Sequence, residues 1–194
     1  MIIGITGGIG SGKSTIAKQL RKMGYAVYDT DSEAKRLIME DADLRQQIEQ
    51  LFGKEVYQDG VYQTALVAQR VFADRSLLTQ LNAIVHPAVK ADILRWAEKI
   101  NHATLCFVEC AILYQAGFDT LCDKVVVVTA TEEVRLQRAV VRDHSTIEKV
   151  RARMRAQEVE KDIERADLIV NNDGKTEITA ICLQIRDFFC NFAG

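Results

Sequence analysis

No run of apolar residues in this chain approaches the roughly 20 that a membrane-spanning helix needs, so no membrane partner is expected. Met1 leads straight into the apolar segment Ile2 to Ile5, and no secretory leader is expected ahead of it. There is no C-x-x-C spacing among the five cysteines, Cys106, Cys110, Cys122, Cys182 and Cys190, and their number is odd. Both features speak against a zinc centre and against a disulfide framework. Reduced thiols in a cytoplasmic protein are expected, with Cys106 and Cys110 as core residues of an apolar run. An excess of one charge is missing too. Lys and Arg number 25 against 27 Asp and Glu, a net charge of −2, which gives duplex nucleic acid no electrostatic hold. Internal repeats, low-complexity segments and linkers are absent. What is present is 194 residues, 48% hydrophobic and 27% charged, which suits one soluble α/β domain with an insertion.

The beginning of the chain carries the strongest chemical signal. Ile2 to Ile5 reads as a buried strand, and Ile16, Leu20 and Met23 recur at helical spacing. Between them, Gly7, Gly12, Lys13 and Ser14 fit G-x-x-x-x-G-K-S/T in the strand–turn–helix context that makes this motif specific. Glycines let backbone N–H groups converge on phosphate oxygens, and the helix N-terminus adds unpaired donors and partial positive charge. Lys13 has the reach for the outer phosphates, and the Ser14 hydroxyl is suited to ligating Mg²⁺. A nucleoside triphosphate, ATP or GTP, is the expected ligand. A guanine-reading Asn/Thr-Lys-x-Asp segment is missing, which argues against a GTP-dependent switch.

Gly24 ends the first helix. Tyr25 to Tyr28 reads as a second strand, with Asp29 and Asp31 at its carboxyl end, the end that faces the ligand crevice in open α/β sheets. Of these two acids, only one is expected to face the phosphates. Asp31 is the expected catalytic carboxylate, and Asp29 either joins it or caps the next helix.

From Ser32 to His102 helical periodicity dominates, and no convincing strand is expected. Leu37, Ile38, Leu44, Ile48, Leu51 and Phe52 mark two stripes, Asp59 and Gly60 a turn, and Leu77, Leu78, Leu81, Ile84 and Val85 a further helix. His86 and Pro87 read as punctuation, with Pro87 in the first turn of a new helix. So much helix between two strands predicts an insertion at residues 32–102 that holds substrate over the strand ends, or else extra packing.

The sheet resumes at Thr104 and runs through Glu109. Asp123 to Thr129, with four consecutive valines, fits a strand flanked by parallel neighbours. Thr131 caps a helix on which Arg135, Arg138 and Arg142 share one face. Ser145 and Glu148 form a capping box for the next helix, which carries Arg151, Arg153 and Arg155. Two basic helices joined by a tight turn, at residues 132–160, suggest a lid whose arginine forks hold phosphate. A solvated helix pair of alternating charge is the alternative. A last strand after Asp167 and an amphipathic helix with Ile178, Ile181, Cys182, Ile185 and Phe189 close the chain.

Together these segments resemble the dephospho-coenzyme A kinase family. The resemblance is carried by Thr6 to Thr15, by Asp29, Asp31 and Ala34, and by Phe52 and Gly53 with Asp59 and Gly60. It continues through Val71 to Asp74, Leu81 to Pro87, Arg138 with Arg142 and Asp143, Gln157, Asp167 and the Asn171 to Gly174 turn. The helical-block segment from Leu81 to Pro87 separates this family from other small kinases. The chain departs from the family pattern at Thr64, where an arginine is common, and at Ala111 to Gln115, where Pro-Leu-Leu-Phe-Glu is common. It departs again at Arg135, where a glutamine is common.

The resemblance implies a P-loop kinase fold in three layers, with a parallel five-stranded sheet, the helical insertion and the helical lid. It implies transfer of the ATP γ-phosphoryl group to the ribose 3′-hydroxyl of dephospho-CoA, by a monomer or weak homo-oligomer. Amides of Gly10, Ser11, Gly12, Lys13, Ser14 and Thr15 would hold phosphate. Asp31 would accept the proton, Arg138 and Arg142 would neutralise the transferring group, and Ser14 would hold Mg²⁺. His86 would touch the acceptor or serve only to punctuate the helix. A nucleoside monophosphate kinase or another small-metabolite kinase is the competing reading.

Overall fold

A computed structural model describes residues 1–100, 105–157 and 159–190. The expected strand start at Thr104 and the block boundary at His102 lie outside the described residues. The chain divides into two compact units, Met1–Tyr28 with Ala97–Gly194, and Asp29–Trp96.

The first unit is an α/β fold. β1 (Ile2–Thr6) leads through the glycine turn into α1 (Lys13–Lys22), and β2 (Ala26–Asp29) follows. After the second unit the chain returns in β5 (Cys106–Glu109), β6 (Lys124–Thr129), α6 (Glu132–Asp143), α7 (Ile147–Arg155), α8 (Val159–Glu164), β7 (Leu168–Asn171) and α9 (Ile178–Cys190). The five-stranded sheet is ordered β2-β5-β1-β6-β7. The β1–β5, β1–β6 and β6–β7 pairs all run parallel. The valines of β6 are buried, and the strand lies between β1 and β7 in the sheet, as its two-sided apolar sequence suggests.

The core joins Ile3, Ile5, Phe107, Val126, Val128 and Val170 of the sheet to Ile16 and Leu20 of α1 and to Ile181, Cys182, Ile185 and Phe189 of α9. Each such side chain contributes about 1.5–3 kcal/mol when fully buried. Carboxylates also hold the first residues of β1 and β6: the Ile2 N–H donates to Asp123 at 2.7 Å, and the Val125 N–H donates to Asp167 at 2.9 Å. The α6–α7 pair carries a small core of its own, Ala139, Val150 and Met154, against which Ile9 packs.

The second unit holds α2 (Thr30–Glu40), α3 (Ala42–Phe52), a hairpin of β3 (Tyr57–Gln58) and β4 (Val61–Tyr62), α4 (Thr64–Ala73) and most of α5 (Arg75–Glu98). The hairpin corrects the expectation of a strand-free block. Asp59 at φ 51° and Gly60 at φ 80° make the tight turn, and two-residue strands are too short to show a period. Pro87 does not open a new helix: it lies inside the 24-residue α5. Buried Val85, Val89 and Ile93 form a continuous i, i+4, i+8 stripe past the proline, and packing of that stripe outweighs one lost backbone bond. Arg36 ties the unit together, reaching Glu33 at 2.6 Å, Glu40 at 3.2 Å and Asp92 at 2.8 Å.

Candidate active site

The turn between β1 and α1 has the shape its glycines require. Gly10 and Gly12 hold φ of 77° and 89°, a region that disfavours a side chain. A Cβ on Gly10 would overlap the Arg135 backbone, and one on Gly12 would overlap the Asn172 amide. The cradle is therefore empty of side chains because neighbouring segments press on its outer side. Lys13 and Ser14 begin α1, and Thr15 and Ile16 donate their N–H groups back to the Gly12 carbonyl at 3.0 and 3.1 Å. The Ser11 N–H donates to the Gly8 carbonyl at 3.1 Å. Thr6 Oγ1 and Ser11 Oγ are buried beside this turn without a hydrogen-bond partner among the described residues.

At the foot of the turn, Ser14 Oγ donates to Glu109 Oε1 at 3.0 Å. Glu109 ends β5 and is only 6% exposed. Parallel β1–β5 pairing sets Glu109 opposite Ile5, at the end of the strands from which the glycine turn departs. Sequence reasoning gave Glu109 no role. Its signal was available: a carboxylate closing an otherwise apolar strand.

From the other side, α6 delivers its arginines. Arg135 Nε donates to the Ile9 carbonyl at 3.0 Å, and its guanidinium lies where a Cβ on Gly8 would stand. Burial lowers its pKa from the ordinary guanidinium value. Arg138 Nη1 donates to the Asn172 carbonyl at 2.7 Å, while Asn172 Nδ2 donates to the Ser11 carbonyl at 2.9 Å. Arg138 thus stands between the phosphate turn and the loop after β7. Gln157, beyond the end of α7, accepts the Ile9 N–H at 2.7 Å. Arg142 is differently engaged: it forks onto Asp143 at 2.7 and 3.1 Å, and Arg153 reaches the same carboxylate at 2.7 Å. These two guanidiniums, Arg142 foremost, hold the Asp143 carboxyl far below the usual range. The structure therefore brings Gly10, Ser11, Gly12, Lys13, Ser14 and Thr15 together with Arg138, and ties Arg142 to its own neighbour.

Two further expectations need correction. The α7 cap is Thr146, whose hydroxyl accepts the Lys149 N–H at 3.4 Å, not Ser145. His144 in the left-handed region, at φ 46°, lets the Ser145 N–H close onto the Val140 carbonyl, so α6 claims one residue more. Asp31 is not on an extended segment. Asp29 caps α2, accepting the N–H groups of Asp31 and Ser32, both at 3.1 Å, so the helix begins at Thr30 and Asp31 sits exposed in its first turn. His86, half-buried in α5, has its pKa lowered by that burial.

Comparison with known proteins adds an independent line. A family model described as "CoaE: Dephospho-CoA kinase" matches residues 1–177. A dephospho-CoA kinase of Porphyromonas gingivalis is 43% identical over 84% of this chain and 81% of its own length. The crystal structure of TT1252 from Thermus thermophilus superposes with a TM-score of 0.82 at 34% identity, covering 96% of this chain and 95% of that one. A dephospho-CoA kinase from Campylobacter jejuni, at 22% identity, shares the fold with a TM-score of 0.74 over 100% of this chain and 98% of that one.

Proposed function

The chain belongs to the dephospho-CoA kinase family, and on that premise we propose that it transfers the γ-phosphoryl group of ATP to the ribose 3′-hydroxyl of dephospho-CoA, giving CoA and ADP. The observation that carries this reading is the side-chain-free cradle with Ser14 and Glu109 at its foot and Arg138 beside it. Amides from Gly10 to Thr15 and the α1 N-terminus bind the phosphates, and Lys13 reaches the outermost one. The hard oxygen pair of Ser14 and Glu109 fits Mg²⁺, which would neutralise charge on the β- and γ-phosphate oxygens.

Asp31 orients the 3′-hydroxyl and accepts its proton as that oxygen bonds to the γ-phosphorus and ADP departs. Arg138 stabilises the equatorial oxygens. Arg142 joins it by exchanging Asp143 for phosphate, while Arg153 stays to neutralise Asp143. Residues 32–102 hold the acceptor, with His86 touching it, and residues 132–160 close as a lid that excludes water. Among the described residues no helix is long and apolar enough to cross a membrane. A cytoplasmic monomer or weak homo-oligomer with no nucleic-acid partner completes the reading. Incubation with Mg²⁺-ATP and dephospho-CoA, followed by mass spectrometry, tests it: CoA and ADP should appear in equal amounts, and absence of CoA refutes it.

A further inference from the structure

Ile9 stands at the crown of the phosphate turn, and both of its backbone polar groups are held by side chains from distant parts of the chain. Its N–H donates to Gln157 Oε1 at 2.7 Å and its carbonyl accepts from Arg135 Nε at 3.0 Å. The Gly8–Ile9 peptide plane is held at its other end as well, since the Gly8 carbonyl accepts the Ser11 N–H at 3.1 Å. A trans peptide points its carbonyl and the following N–H in opposite directions. Pulling the Ile9 carbonyl toward Arg135 therefore turns the Gly10 N–H away from Arg135, and no peptide among the described residues is cis.

We propose that Arg135 and Gln157 are positioning residues for the nucleotide: acting through the two peptide planes of Ile9, they occupy its N–H and aim the Gly10 N–H at the bound phosphate. The clamp also joins the start of α6 and the end of α7 to the phosphate turn, so the lid and the cradle are set by one contact pair. This rests on the reading that the turn binds a triphosphate. Arg135 adds a second effect, because it brings a full positive charge against Gly8, where a glutamine would supply a donor alone.

The test measures ATP affinity by calorimetry without acceptor, alongside steady-state kinetics. Arg135→Ala and Gln157→Ala should each weaken ATP about tenfold, the equivalent of about 1.4 kcal/mol. In both, KM for dephospho-CoA stays within about twofold and the ligand-free Tm within about 2 °C, shifts that a merely structural role would exceed. Arg135→Gln restores the donor and should recover affinity to within about threefold of wild type. The double alanine variant should lose less than the product of the single losses, because both residues orient one turn. Unchanged ATP affinity in Gln157→Ala, or an Arg135→Gln variant no better than Arg135→Ala, overturns the proposal. A wild-type protein that fails to bind ATP overturns the triphosphate reading instead.

Discussion

Replacing Gly10 by alanine should cost far more than the same change at Gly24, although the two backbones are almost equally strained. Their φ values are 77° and 90°. Forcing an L-residue into that region costs about 1–2 kcal/mol at either site. The surroundings differ. Nothing lies within 4 Å of a Cβ at Gly24, whereas at Gly10 it would overlap the carbonyl oxygen, carbonyl carbon and Cα of Arg135. Those are backbone atoms at the start of α6 and cannot swing aside, so the overlap adds about 1–3 kcal/mol. Mid-values give about 1.5 kcal/mol for Gly24→Ala and about 3.5 kcal/mol for Gly10→Ala. At about 3 °C per kcal/mol for a chain of this size, Tm should fall about 5 °C and about 10 °C respectively. Thermal unfolding followed by far-ultraviolet circular dichroism reads both. Saturating Mg²⁺-ATP should raise the Tm of Gly24→Ala as it does that of wild type, and should barely protect Gly10→Ala. Equal Tm losses in the two variants would show that the packing of α6 on the phosphate turn does not constrain Gly10, and would refute the reasoning.

Asp31→Asn should lower kcat at least about 100-fold with ATP affinity intact, and near-normal turnover would remove Asp31 from the role of base. Arg138→Ala should lower kcat more than it raises KM for dephospho-CoA, by about tenfold or more; the reverse split would make it a ground-state binder. For His86 the sign follows from burial: its folded-state pKa lies below the unfolded value of 6.5, so the unfolded chain binds the extra proton. Stability from this group is present above that value and is lost as pH falls below it. The Tm of wild type relative to His86→Gln should therefore drop between pH 7 and pH 5, and a constant difference would show that His86 is not buried against its charged form.

Much of the fold was legible because local chemistry and tertiary packing agree in those segments. The glycine turn after Ile5, the valines of β6 and the stripe of α9 each follow from spacing alone, and each lies where the spacing puts it. The misreadings share a cause. The helix start at Pro87, the cap at Ser145 and the extended setting of Asp31 follow from local rules, and in each a competing interaction takes over: a buried stripe, a left-handed helix close, and the Asp29 cap.

By itself, the sequence determined the phosphate-binding chemistry. Gly7, Gly12, Lys13 and Ser14 are contiguous enough that strand, turn and helix leave their backbone only one arrangement. Only the tertiary structure decided what surrounds that turn. Glu109, Arg135, Gln157 and Asn172 come from positions 95 or more residues away from their partners in the turn, and sequence spacing carries no distance information across such separations. Parallel strand pairing and the folding back of α6 and α7 bring them there, which is why the cradle could be read from one segment and the clamp around it could not.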